Sequence, residues 1–177
     1  MMKMGFIFIA INVLMYFGIN HFFTVEENFW NFGLNLQNAH LGYTFITSAF
    51  NHAGLLHLGM NMFFVYQISN IFETVYETKK EQILVYFFSS IPINLLSFSY
   101  MYFANVENTM VGYSGVCFAL IGALWFALDK KAKKSFSIQI LLFHAVVIYL
   151  GVSIAWYAHL SGFIVGLLIS KILKKTW

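Results

Sequence analysis

The stretch Val111-Gly112-Tyr113-Ser114-Gly115-Val116 places a serine between two glycines at the start of an apolar run that reaches residue 128. A run of this kind approaches the length that crosses a lipid bilayer as a helix. A serine at its start is either a nucleophile or an ordinary helix-start residue. A nucleophile would need a base, donors for negative charge and a defined place in the fold.

Composition indicates that the whole chain belongs in a membrane. Of its 177 residues, 60% are hydrophobic and only 10% are charged, against roughly 25% charged in soluble domains. Mostly apolar runs of near-transmembrane length cover residues 4–22, 54–72, 82–103, 112–128, 137–154 and 157–173. These runs predict an all-α membrane protein, a bundle of six transmembrane helices forming one domain over residues 1–177. No small-x-small pattern follows the first run, so we expect a span there rather than a cleaved signal peptide.

The lysines predict the orientation of these spans. All ten basic residues are lysines, and they lie before the first run, between the second and third, between the fourth and fifth, and after the sixth: Lys3, Lys79, Lys80, Lys130, Lys131, Lys133, Lys134, Lys171, Lys174 and Lys175. Because positive residues favour cytoplasmic loops, both termini are predicted to be cytoplasmic. The net charge of +3 then reflects topology, and no nucleic-acid partner is expected. The apolar, aromatic segment from Thr24 to Asn51 is expected to lie in the membrane interface on the outer side.

Several polar side chains interrupt the predicted spans. His57 and Asn61 are four residues apart, so a helix places them on one face. Buried polar groups at such depth either mark function or bond to each other as a structural pair. His52 is predicted to be structural, and His144, midway along the fifth run, is predicted to pack with one satisfied hydrogen bond.

The second, fourth and sixth spans are parallel in this topology. His57, Ser114 and His159 each lie within a turn or two of the outer end of their span, so they share nearly one depth. This arrangement predicts a site that opens to the outer face of the membrane.

Small residues predict which spans touch. Four-residue spacings of small side chains let helix backbones approach closely in lipid. One series lies in the fourth run and the other in the sixth: Gly115, Ala119, Ala123 and Ala127, then Ala158, Gly162, Gly166 and Ser170. Each could serve packing alone. Since Ser114 and His159 flank the two series, we expect close contact of these helices to bring the serine to the histidine.

These residues predict the chemistry of acyl transfer. Ser114 would attack a carbonyl after passing its proton to His159, which would later protonate the leaving amine. The backbone N–H of Ser114 and the side chains of Asn61 and His57 would stabilise the oxyanion. Gly112 and Gly115 leave room for a substrate backbone.

No carboxylate occurs within a span, so a Ser–His dyad is expected, with Glu107 as an outside candidate for a third member. No His-Glu-x-x-His motif is present, so a metalloprotease is not favoured and no metal is expected.

The chain resembles the rhomboid family of intramembrane serine proteases. Three motifs carry this resemblance, in order: His57-x-x-x-Asn61, Gly112-Tyr113-Ser114-Gly115 and Ala158-His159-x-x-Gly162-x-x-x-Gly166. Many members carry Trp-Arg in the first outer loop, where this chain has Gly42-Tyr43-Thr44-Phe45.

The resemblance implies cleavage of single-pass membrane proteins in or near their transmembrane segment, without a cofactor. It implies catalysis by Ser114 and His159, with His57 and Asn61 in the oxyanion site. The short form resembles the bacterial members, so the expected location is the cytoplasmic membrane.

Two other functions remain open at this stage. The first is a catalytically silent, rhomboid-like protein that binds membrane helices, although such a protein would normally lack the serine or the histidine. The second is a small transporter or channel that handles protons through His57, His144 and His159, although no inverted repeat supports it.

Overall fold

The structure is a computed structural model that describes residues 3–149 and 154–173. The helices in these residues are α1 Met4–Phe22, α2 Val25–Phe32, α3 Thr44–Phe50, α4 Leu55–Val75, α5 Lys79–Ile83, α6 Ser90–Ala104, α7 Ser114–Leu124, α8 Lys130–Tyr149 and α9 Trp156–Ile172. A 3₁₀ turn covers Ala39–Leu41. No β-strand occurs within the described residues, where an isolated antiparallel bridge joins Leu34 and Met110. The described chain is therefore all-α.

A helix lies at each of the six positions that the apolar runs indicated. Two helical stretches, Met4–Phe22 and Lys79–Ala104, are by length and composition able to cross a membrane. The run at 112–128 was predicted too long as regular helix, because α7 ends at Leu124 and turns follow it. At about 1.5 Å per residue, α7 is only about 16 Å long. Two predicted features fall outside the described residues. Part of the connection between the fifth and sixth runs lies in 150–153, and the last two lysines lie in 174–177.

Helix α7 forms the centre of the molecule. Nearly all of its side chains are buried, from Gly115 to Leu124. It packs against α4 and, most extensively, against α9. The serine at its first position is therefore held by the most enclosed helix of the described chain.

Contacts at the far end from Ser114 show that α4 and α7 run in the same direction. The hydroxyl of Tyr76, just past the end of α4, donates to the carbonyl of Ala123 near the end of α7, at 2.9 Å. Helix α1 is tied to the same end of α4, because the Glu73 carboxylate accepts from the backbone N–H of Met4 at 3.1 Å and of Gly5 at 2.7 Å. A carboxylate at a helix N-terminus satisfies unpaired donors and stabilises the helix dipole.

The stretch Lys79–Ala104 is one helix with an irregular segment ahead of its only proline. The turn Leu84–Phe88 is π-helical, and Pro92 follows within the next turn. Proline removes a backbone donor and crowds the preceding turn, which a local π segment relieves. The Ser89 hydroxyl also donates to the Val85 carbonyl at 2.5 Å. The helix thus satisfies this segment with its own groups.

The segment between α1 and α4 folds into short helices fixed by a buried amide. The Asn38 side chain donates to the carbonyls of Trp30, at 2.7 Å, and Gly33, at 2.8 Å. Gly42 turns the chain with a positive φ of 71°, and α3 begins two residues later. A buried asparagine therefore ties the end of α2 to the turn that follows it.

A capping box starts α2. The Thr24 side chain accepts from the Glu27 backbone N–H, and the Glu27 carboxylate accepts from the Thr24 backbone N–H at 2.9 Å. The bond from the Thr24 backbone N–H holds the pKa of the Glu27 carboxyl below its usual value, and the bond from the Thr24 hydroxyl adds a smaller effect in the same direction. The first turn of α2 is therefore defined by residues of the chain itself.

The outer helices present large apolar side chains to their surroundings. Among the most exposed are Leu14, Leu56, Phe103, Leu141 and Tyr149. Exposed apolar surface on this scale is typical of a membrane or partner contact rather than of a soluble protein.

Candidate active site

The loop before α7 is anchored from three sides. The Gly112 N–H donates to the Ser48 carbonyl at 2.8 Å, and the Tyr113 N–H donates to Nε2 of the buried His52 at 3.4 Å. The Tyr113 hydroxyl donates to the carbonyl of Tyr86. His52, predicted to be structural, thus supports the backbone next to Ser114.

Gly112 needs to be glycine for two reasons. Its φ is 119°, which other residues rarely adopt. A Cβ at this position would also lie 2.5 Å from Cε1 and 2.7 Å from Nε2 of His57. Gly112 therefore lets the imidazole of α4 lie directly against the loop that carries Ser114.

The predicted approach of the two small-residue helices is confirmed. A Cβ added to a glycine of one helix would collide with a backbone carbonyl of the other in three pairs: Gly162 with Gly115, Gly166 with Ala119, and Gly122 with Phe163. Gly122 lies outside the four-residue series and was not predicted. The backbones of α7 and α9 are therefore in direct contact over about two turns of α7.

This contact brings the predicted serine–histidine pair together. Ser114 Oγ lies 2.9 Å from His159 Nε2, a hydrogen-bond distance. His159 is 6% exposed, and its ring stacks on Phe118 with centroids 4.5 Å apart and planes inclined by 7°. The imidazole is therefore fixed in orientation by a ring on the helix that also carries the serine.

The second ring nitrogen of His159 faces a residue that sequence reasoning placed elsewhere. His159 Nδ1 lies 3.0 Å from His144 Nε2 on α8. The prediction that His144 packs with one hydrogen bond is wrong, because its Nδ1 also bonds the Ile140 carbonyl at 2.8 Å. Glu107, the outside candidate for a third member, instead lines a separate cavity of the outer loops with Asn35 and Thr109.

Hydrogen-bond donors from α4 lie against the loop that carries Ser114, at Gly112. Nδ1 of His57 accepts from the Ala53 N–H at 3.4 Å, so in the neutral ring Nε2 carries the proton and acts as a donor. The amide nitrogen of Asn61, Nδ2, is buried without a hydrogen-bond partner among the described residues. Both face Gly112, because a Cβ there would meet His57 Nε2 and, at 3.5 Å, Asn61 Nδ2. These donors, with the first-turn N–H groups of α7, which have no partner within the helix, can bind a developing oxyanion.

A small cavity opens beside the serine. It has a volume of about 30 Å³ and is lined by Ser48, Ile93, Asn94, Ser114, Gly115 and Ala158, among others. A bound water needs about 10–15 Å³ of such space, so the cavity holds about two waters or a small side chain.

Cys117, one turn after the serine, is buried, and its thiol lies 3.8 Å from the Asn61 carbonyl. It packs behind the donor site and does not line the cavity. In residues 3–149 and 154–173, no three His, Cys, Asp or Glu side chains converge as a metal site requires.

Comparison with known proteins places this chain in a family. Residues 39–176 match the family described as Rhomboid domain, a range that includes every residue of the site. The chain belongs to the rhomboid family. Rhomboid proteins are embedded in membranes, which fits the apolar helices described above.

This rhomboid is also similar to a protein named Rhomboid-like protease 3 from Toxoplasma gondii. The two are 32% identical over 126 residues, which is 68% of this chain and 48% of the relative. The chain thus spans about half the length of the curated relative that it matches.

The structure brings most of the predicted site of this rhomboid together. His57 and Asn61 face Gly112, two residues before Ser114, and His159 contacts Ser114 itself. The glycines predicted near the site lie in the contact of α7 with α9 or in the serine loop. The sequence alone did not predict the contact of His144 with His159, because the depth of His144 was known but the rotation of α8 about its axis was not.

Proposed function

We propose that this rhomboid is an intramembrane serine endopeptidase that cleaves single-pass membrane proteins in or near their transmembrane segment. The observation that carries this proposal is the 2.9 Å contact between Ser114 Oγ and His159 Nε2. A serine hydroxyl is a weak nucleophile unless an adjacent base removes its proton. A partly buried serine next to a buried histidine, on two helices in contact, supplies that base within the apolar bundle.

The acylation step follows from the positions of these two side chains. Ser114 Oγ attacks the carbonyl carbon of the scissile peptide as its proton moves to His159 Nε2. The C=O π bond opens, and its electron pair becomes the oxyanion of a tetrahedral intermediate. When the oxyanion collapses, the C–N bond breaks and His159 gives its proton to the leaving amine, which leaves an acyl ester on Ser114.

Water completes the reaction. His159 Nε2 takes a proton from a water molecule, whose oxygen adds to the ester carbonyl. Collapse of the second intermediate releases the carboxylic acid, and the proton returns to Ser114 Oγ. The cavity beside the serine would bring water to the ester or would take a small substrate side chain.

Stabilisation of the oxyanion is assigned to α4 and α7. Asn61 Nδ2 has no hydrogen-bond partner in the described part of the chain, which supports this assignment because a buried donor without a partner costs stability. An incoming oxyanion would satisfy this donor, together with His57 Nε2 and the Ser114 N–H. Removing one such donor from an enzyme lowers kcat by about 10² to 10³.

The proposed setting is a multi-pass protein of the bacterial cytoplasmic membrane. Six helices would cross the bilayer with both termini in the cytoplasm, in keeping with the lysine pattern. The short helix α7 would do so together with the turns that follow Leu124. The contacts of Glu73 with the start of α1 place that start at the same end of the bundle as the end of α4, as this topology requires. The site, at the other end of α4, would then lie near the outer face.

The alternative is a rhomboid-like protein that binds membrane helices without cleaving them. Such a protein would not need a serine and a histidine at hydrogen-bond distance, nor an unpartnered amide donor next to them. These two features favour the protease.

The test is cleavage of a fluorescent single-pass substrate by protein reconstituted in liposomes. The wild type is expected to cleave it, whereas Ser114→Ala and His159→Ala are expected to lose cleavage while remaining folded by circular dichroism. Cleavage by Ser114→Ala at the wild-type rate would refute the serine-protease proposal.

A further inference from the structure

His159 makes a second side-chain contact that a serine–histidine dyad does not require. Its Nδ1 lies 3.0 Å from Nε2 of His144, and Nδ1 of His144 lies 2.8 Å from the backbone carbonyl of Ile140. The three links from Ser114 through the two imidazoles to the carbonyl form one continuous chain of hydrogen bonds.

The direction of every bond in this chain follows from its last member. A carbonyl oxygen can only accept, so Nδ1 of His144 carries the proton. A neutral imidazole has one N–H, which leaves Nε2 of His144 as an acceptor. His159 must therefore donate through Nδ1, and its own Nε2 is left free of hydrogen to accept from Ser114.

We propose that His144 is a positioning residue that holds His159 in the tautomer able to act as a base towards Ser114. This inference rests on the proposed protease function. When His159 takes the serine proton, its Nδ1–H becomes a charged donor, and the bond to His144 Nε2 strengthens. His144 thus supplies, as a neutral acceptor, the orienting function that a carboxylate serves in a triad.

The surroundings fix both rings in this geometry. Phe118 stacks flat on His159, and its ring lies 6.1 Å from that of His144 at an interplanar angle of 78°. The two imidazoles meet nearly at right angles, at 84°. This arrangement directs the nitrogen lone pair of one ring towards the N–H of the other and excludes simple ring stacking.

The position of His144 within its own helix explains the acceptor at the end of the chain. Ile140 is four residues earlier in α8, one helical turn away, so the helix itself fixes the His144 tautomer. No acid is needed, which accounts for a site without a nearby carboxylate in the described part of the chain.

A set of three variants tests this role through kinetics. His144→Phe keeps a ring but removes the acceptor, and it is expected to lower kcat for the single-pass substrate about tenfold to a hundredfold with KM unchanged. His144→Gln returns an acceptor oxygen at about the reach of Nε2 and is expected to recover most of the rate. The matched control is His40→Phe, because His40 also bonds a carbonyl, that of Gln37 at 2.9 Å, but lies in the outer loop.

The kinetic outcomes separate positioning from packing. Wild-type kcat in His144→Phe would overturn the proposal, and so would an equal loss in His144→Phe and His144→Gln. If His144→Phe does not fold, the comparison of His144→Gln with wild type and the spectroscopic test below still decide.

The spectroscopic test does not depend on activity. Nitrogen-15 NMR of imidazole-labelled Ser114→Ala protein in detergent, assigned with the His159→Ala and His144→Gln variants, reports which ring nitrogen carries hydrogen. We expect protonated Nδ1 on both His159 and His144. A proton on His159 Nε2 instead would overturn the positioning role of His144. Failure of the proposed protease function is a separate outcome, because it would appear only when cleavage by wild type is compared with cleavage by Ser114→Ala.

Discussion

The contact of α7 with α9 makes a sharp prediction for Gly162→Ala. A Cβ at this position would collide with the Gly115 carbonyl oxygen and would lie 3.2 Å from Phe118 Cβ. The helices must separate by about 1 Å to reach an ordinary C···O contact of about 3.3 Å. Gly162 lies three residues after His159, so the shift would carry His159 with it. The 2.9 Å serine–histidine bond would lengthen to about 4 Å, beyond hydrogen-bond range.

The expected result is a folded protein with greatly reduced turnover. A misplacement of about 1 Å at a reacting centre can lower the rate about 10²-fold, so we expect kcat to fall by about that factor. Overpacking of this kind costs about 1–3 kcal/mol of stability. The assay is cleavage of the single-pass substrate in liposomes, with kcat normalised to folded protein.

Two further alanine variants make the result interpretable. Gly18→Ala is the neutral control, because nothing lies within 4 Å of a Cβ there. Gly166→Ala makes an equivalent collision with Ala119 but lies seven residues from His159, so it should lose stability with a smaller loss of kcat. Wild-type kcat in Gly162→Ala would refute the close-approach argument, and an equal loss in Gly166→Ala would mean that destabilisation alone lowers the rate.

Two other substitutions test the surroundings of the serine. Asn61→Ala should lower kcat about 10²-fold or more with KM unchanged. It should not lower the unfolding temperature, because the buried Nδ2 has no partner in the described residues. An unchanged kcat would remove Asn61 from the oxyanion site. Tyr113→Phe removes the hydroxyl bond to the Tyr86 carbonyl and should destabilise the protein by about 1 kcal/mol, measured by thermal unfolding in detergent. An unchanged midpoint would mean that this bond does not help to anchor the loop.

The sequence was sufficient to predict a helix at each apolar run and the meeting of Ser114 with His159. Apolar runs depend only on local composition, and the small-residue spacing around Gly115 and Gly162 is a direct signal of helix contact. The depth of Ser114 and His159 along parallel helices then predicted their meeting, because depth can be counted from the start of each run.

Features that depend on helix rotation or on irregular backbone were not predictable in this way. His144 could be placed at a depth in α8, but not on the face that meets His159. Gly122 contacts Phe163 although it breaks the four-residue spacing. The π turn before Pro92 and the anchoring of the outer loop by Asn38 depend on hydrogen bonds of single side chains to nearby carbonyls, which apolar periodicity does not reveal.

The most direct test of the central claim is covalent labelling of the serine. Purified protein in detergent is treated with a fluorophosphonate, in which serine oxygen displaces fluoride from phosphorus, and the modified peptide is identified by mass spectrometry. The adduct is expected on Ser114 in the wild type, with none in Ser114→Ala and strongly slowed labelling in His159→Ala. An unlabelled wild type that nevertheless cleaves its substrate, or equal labelling in Ser114→Ala, would contradict the assignment of Ser114 as the nucleophile.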